Sequence, residues 1–134
     1  MSWIQSYGLN GFKESLGMLV FRVVLGGSML THGIPKLMNY TDKLNSFPDP
    51  LGIGSPITLS FGVFAEFFCS ALIILGLKAR LAAIPLMVTM SVATLIVHAN
   101  EPFGSKEKAV LFLAGFFMIF MAGPGRFSID RNLK

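Results

Sequence analysis

Arg22, His32, Glu66 and His98 are ionisable side chains set inside otherwise apolar stretches of this chain. A guanidinium, a carboxylate and two imidazoles can neutralise one another, or they can orient a polar molecule and move protons to and from it. None of them is cheap to keep in such surroundings. A charge at the centre of a hydrocarbon layer costs roughly 2.5–3.5 kcal/mol on insertion scales, so it faces a protein interior, a partner or a ligand. The segment "FRVVLGGSMLTHGIPK", residues 21–36, poses the question most sharply, because Arg22, His32 and Lys36 interrupt a run of apolar and small residues.

The elements that must position these groups follow from composition. Of 134 residues, 53% are hydrophobic and 13% charged, against roughly 25% charged in a soluble domain. Mean hydropathy is +0.67. This predicts an all-α, integral membrane protein of one small domain. Runs of about 20 apolar residues fall at about 15–38, 56–77, 80–98 and 107–123, giving a four-helix bundle that passes the membrane four times. "NYTDKLNSFPDPLGIGSP" reads as a loop between the first two spans, "LKAR" as a tight antiparallel connection, and "ANEPFGSKE" as the last link. Near the N-terminus, which lacks a signal-peptide pattern, Trp3, Ile4 and Tyr7 share a helical spacing that suits an interfacial anchor.

Several function classes drop out. The single cysteine, Cys69, excludes an intramolecular disulfide and a CxxC redox pair, and it reads as a small core residue. Net charge is +4, but the excess is dispersed, so no nucleic-acid surface is expected. It reads instead as a topology signal. Lys13, Lys78, Arg80, Arg126, Arg131 and Lys134 fall on one side, against Lys36, Lys43, Lys106 and Lys108 on the other. The positive-inside rule then predicts both termini in the cytoplasm.

Helical periodicity groups the polar residues. On the first span Arg22, Gly26, Met29, Gly33 and Lys36 form one stripe with His32 at its edge; on the second, Gly62, Glu66, Cys69, Ser70 and Ile73 share a face; on the third, Ser91, Thr94 and His98 align. Gly115 and Ala114 are the close-contact residues expected of the fourth. If each span is centred on the midplane, Arg22 lies roughly 6 Å to the cytoplasmic side of Glu66 and His32 roughly 9 Å to the outer side. That predicts an Arg22–Glu66 ion pair, with Lys36 snorkelling to the headgroups.

Two readings follow. The pair is internal glue that fixes helix register, or Arg22, His32, Glu66 and His98 line a polar pocket that binds a lipophilic small molecule. His98, at a span end, also suits a plain interfacial histidine. No metal is expected: His32, Glu66 and His98 offer a two-histidine, one-carboxylate set, but none is helically spaced with another and Arg22 opposes a cation. Two histidines not placed opposite one another argue equally against haem, and no phosphate cradle or nucleophile elbow is present.

The order of these residues resembles the DoxX family. Arg22 with Gly26, Gly27 and "HGIPK" at 32–36 is similar to its first span, "AEFFCSALIILGLKAR" at 65–80 to its second, and "VHAN" at 97–100 with "GPGRFSID" at 123–130 to its third-span histidine and terminal segment. The resemblance implies a small bacterial four-helix protein of the inner membrane. Some members resemble the quinone-reducing subunit of a thiosulfate:quinone oxidoreductase, others are linked to quinone or catechol stress and membrane oxidoreductase complexes, and distant eukaryotic relatives act as chaperones or cargo receptors. It therefore implies a quinone as the ligand and a redox partner protein as the electron source, with no activity for this chain alone. A scaffold or assembly factor is the alternative. A small-solute carrier is the third, and without internal repeats it needs a homo-oligomer.

Overall fold

The computed structural model describes residues 11–132, and all the secondary structure among them is helical. The proposed anchor at Trp3, Ile4 and Tyr7 lies outside the described residues, as does Lys134. Helix α1 is Phe12–Met38, followed by a single turn, α2, Tyr40–Lys43. Helix α3 is Ser55–Leu75, α4 is Ala79–Val97 and α5 is Phe103–Ala122, with a last turn, α6, Ile129–Asn132. Helices α1, α3 and α4 are long and apolar enough to cross a membrane. Helix α5 opens with Lys106, Glu107 and Lys108 before its charge-free stretch begins at Ala109.

The stripes found by periodicity on the first two spans are faces that pack, whereas Ser91, Thr94 and His98 on the third are only half-buried and its packed face runs through Ala79, Ala82, Ala83, Leu86 and Met90. Along α1 the buried residues are Ser15, Met18, Arg22, Gly26, Met29 and Gly33, alternating three and four apart as a helix requires. Along α3, Gly62, Glu66, Cys69, Ser70 and Ile73 are all buried. Met29, Cys69, Ile73, Leu86, Phe116 and Ile119 form the centre of the core. On α5, Gly115 is buried against Leu25 and Phe21, whereas Ala114 points outward.

Two glycines set the geometry. At Gly33 a methyl group would collide with the backbone of Glu66 and Phe67, so α1 and α3 meet there main chain to main chain. Gly76 (φ 70°) ends α3 in the left-handed region, where its amide donates to Ile73 O and that of Leu77 to Leu72 O. A side chain at Gly76 would also strike Arg22 and Ser128.

These contacts overturn the expected Arg22–Glu66 pair. Gly33 stands level with Glu66, so Arg22, eleven residues earlier, lies roughly 16 Å away along the helix axis. Its guanidinium instead donates to Ile73 O and Ile74 O at 3.1 and 3.0 Å and to Phe127 O. A cation satisfies helix-terminal carbonyls and favours the negative end of the helix dipole. The two spans do not share a midplane: the N-terminal part of α1 runs past the end of α3, and the glycine contact fixes the offset.

The terminal segment completes this end of the bundle. The Asp130 carboxylate accepts from the amides of Lys78 and Ala79 at 2.6 and 3.0 Å, capping α4, while the Asp130 amide donates to Gly76 O. "GPGRFSID" is therefore a clamp on the α3–α4 turn.

Two departures from regular helix were not expected. Phe64–Cys69 in α3 and Ala93–Val97 in α4 are π-helical. Such a segment admits an extra residue, widens the helix and re-aims its side chains. One carries Glu66 and the other leads directly into His98.

Candidate functional site

At the end of the bundle away from the Arg22 cluster, α1, α3, α4 and α5 border a half-open cavity of about 560 Å³. Its walls are mostly apolar, including Met29, Phe61, Val88, Val92 and Phe112, and its polar groups are few: His32, Lys36, Thr58, Glu66, Thr89, His98, Ser105 and Lys108. The loop after α2 roofs it with Phe47, Pro48, Pro50, Leu51 and Ile53.

Three of the four residues singled out by sequence, His32, Glu66 and His98, line this one cavity, and Arg22 is not among its walls. The partner of Glu66 is Lys36, whose Nζ donates to both carboxylate oxygens at 2.6 and 2.7 Å. Lys36 therefore turns inward rather than snorkelling to the headgroups. It follows Gly33 by one turn, where the two backbones touch, and Gly62 leaves room beside both side chains. The Lys36 ammonium also lies 5.8 Å from the centre of the Phe47 ring, within cation–π range. Lys36 already belonged to the α1 stripe, and that was the signal that could have identified it.

The two histidines differ. His98 Nδ1 lies 3.0 Å from Glu101 Oε2, and this hydrogen bond is the largest of the effects holding the Glu101 carboxyl below its usual range. His32 packs edge-on to Phe112, centroids 6.1 Å apart at 90°, and among the described residues neither of its ring nitrogens has a hydrogen-bond partner. Lys108, Glu66 and Lys36 all lie within electrostatic reach of that ring. A ring with both nitrogens available can donate to or accept from a ligand in the cavity.

The roof is held by one carboxylate. Asp49 accepts from Thr58 Oγ1 at 2.8 Å, from the Gly54 amide at 2.7 Å and from the Ile53 amide at 3.1 Å. These bonds, that from Thr58 foremost, pull the Asp49 carboxyl below its ordinary value. Ser55 Oγ ties the same loop to Phe47 O, and Tyr40 and Ser60 share a hydroxyl hydrogen bond. Periodicity could not reveal this arrangement, because it depends on loop geometry.

Among the described residues no three His, Cys, Asp or Glu side chains come together as a metal site would require. The cavity instead presents an apolar volume with a charged pair and two imidazoles at its edge. That suits a lipophilic molecule with a hydrogen-bonding head group.

A family model described as DoxX matches residues 17–99. The chain is 31% identical to the "Uncharacterized membrane protein Rv3486" of Mycobacterium tuberculosis (strain ATCC 25618 / H37Rv), across 87% of this chain and 80% of that protein. No solved structure matches.

Proposed function

The chain belongs to the DoxX family of membrane proteins, and from that premise we propose that it is a multi-pass inner-membrane subunit whose cavity binds a quinone-like head group for a redox partner. The observation that carries this reading is the His32 ring, without a hydrogen bond among the described residues, beside the Lys36–Glu66 pair on the wall of an apolar cavity. The volume of about 560 Å³ lies within the range of small-molecule sites, roughly 300–1,000 Å³.

The chemistry assigns a task to each residue. Reduction of a quinone to a quinol consumes two electrons and two protons. His32 and His98 exchange the protons, since an imidazole ring nitrogen can either donate or accept one. Lys36 has a third donor beyond the two that Glu66 engages, and it stabilises negative charge developing on a carbonyl oxygen. Glu66 fixes that ammonium in position. Arg22 takes no part in this scheme. The electrons come from a partner dehydrogenase, for the chain offers no dithiol of its own.

The membrane arrangement belongs to the same proposal. Helix α5 makes the fourth crossing from Ala109 onward, and both termini are cytoplasmic on the count of basic residues. The cavity then opens in the outer half of the membrane.

A scaffold or assembly factor is the rival. The Arg22 and Asp130 clusters favour it, since both hold helices together without touching the cavity. Mass spectrometry of lipids extracted from the purified protein separates the two. A quinone enriched over its share of the surrounding bilayer supports the proposal, and the bulk lipid composition alone refutes it.

A further inference from the structure

A second hollow, of about 740 Å³, runs between α1 and α5 and shares His32, Lys108 and Phe112 with the cavity. The two spaces are therefore neighbours across the same side chains. Below the hollow, α1 and α5 close on each other where Gly115 meets Leu25 and Phe21. Its lips are apolar and outward-facing: Val24 is 60% and Leu111 63% exposed. These residues lie on the sides of apolar helices, so the hollow opens toward lipid.

From this adjacency we infer that the groove between α1 and α5 is a binding site for the apolar tail of the cavity's ligand, a tailed, lipid-soluble molecule loaded sideways from the bilayer past His32 and Phe112. The inference rests on the quinone-like reading above. Two observations decide the direction of the tail. The cavity matches a drug-sized molecule, so a ring with a long hydrocarbon chain does not fit inside it. The roof is tied down by the three bonds to Asp49 and by Ser55 on Phe47 O, so it offers the tail no open way out. A tail leaving through the groove lies along Phe21, Val24, Leu25 and Leu111, with Ser28, Thr31, Glu107 and Lys108 at its margin, and need not enter water. His32 and Phe112, edge to face at the junction, stand where ring and tail join.

The test fills the groove and leaves the cavity alone. Ser28 lines the groove but not the cavity, is exposed, and contributes only its backbone carbonyl to a hydrogen bond from Thr31. Ser28→Trp should therefore fold, and Leu111→Trp, also at the groove, provides a second blocked variant. Val23→Trp, exposed but outside the groove, is the control. In lipid nanodiscs, two probes are titrated: a benzoquinone bearing a decyl chain, and the same ring without it. The expected result is that either groove variant weakens the decyl-quinone by at least about tenfold and the bare ring by less than about twofold, because a steric block discriminates by shape. Val23→Trp should change neither. Equal losses for the two probes, or no loss for either, overturn the tail route while leaving the head-group reading intact. No binding of either probe to the wild type overturns both.

Discussion

Replacing Lys36 and Glu66 singly and together should give an asymmetric result that the exposure of the two side chains dictates. Lys36→Met strands a carboxylate whose side chain is 5% exposed. Removing one partner of a buried pair costs on the order of 3–5 kcal/mol. Glu66→Gln strands the ammonium instead, but that side chain is 23% exposed and its flexible stem can swing toward water. It loses charge-assisted hydrogen bonds while keeping an amide oxygen as acceptor, a cost of about 1–2 kcal/mol. The double variant leaves no charge unpaired, so it should be more stable than Lys36→Met alone, with a coupling energy of about 2–3 kcal/mol. Reversible unfolding in mixed micelles measures all four proteins. The same cycle run on Arg22→Met and Glu66→Gln should be additive to within about 0.5 kcal/mol, as expected of sites without shared partners. Strong coupling in the Arg22 cycle, or none in the Lys36 cycle, refutes the pairing described here.

Gly33→Ala should destabilise by about 3 kcal/mol or more, since overpacking here pushes against main chain rather than a movable side chain. Gly17→Ala, with open space around it, should instead stabilise by about 0.4–1 kcal/mol, and denaturation midpoints of the two variants check the contrast. For Asp49, whose carboxyl is lowered from an ordinary value of 3.8, the stabilisation of the roof is present in full above that value and lost as pH falls through the lower folded value. Amide protection at Ile53 and Gly54 should therefore fall in acid, and Asp49→Asn should remove that dependence; protection unchanged in acid would contradict it. A cysteine at Asn45 should label only from outside and one at Asn132 only from the cytoplasm, while buried Cys69 stays silent. Labelling of Asn45→Cys from the cytoplasmic face reverses the orientation.

Periodicity made the packing faces legible because burial repeats with the helix. The stripe through Arg22, Gly26, Met29 and Gly33 and the α3 face through Glu66 and Ile73 could be read directly. Axial register was not legible. A stripe states which way a residue points and says nothing about which residue on the next helix it meets. That is decided by a single backbone contact at Gly33, and the misassigned partner of Glu66 follows from it. The π-helical segments were hidden for a related reason: one extra residue in a turn leaves no compositional mark. The roof depends on Asp49 meeting two amides and a hydroxyl in a folded loop, and the loop sequence alone offers only its prolines and glycines. Isolated ionisable residues in apolar helices make His32, Glu66 and His98 conspicuous; Lys36 is equally visible on the α1 stripe, but its place near the helix end suits a snorkelling cation, and Lys108 reads only as part of the topology signal.

The central claim is that the cavity at His32 binds a quinone head group. The most direct measurement is the dissociation constant of a tail-less benzoquinone for the wild type and for His32→Phe in nanodiscs. Phenylalanine retains a ring against Phe112 and removes both nitrogens, so folding should be preserved. The account predicts saturable binding to the wild type, weakened at least about tenfold in the variant, corresponding to about 1.4 kcal/mol. Equal affinity in both proteins, or no saturable binding to the wild type, contradicts it.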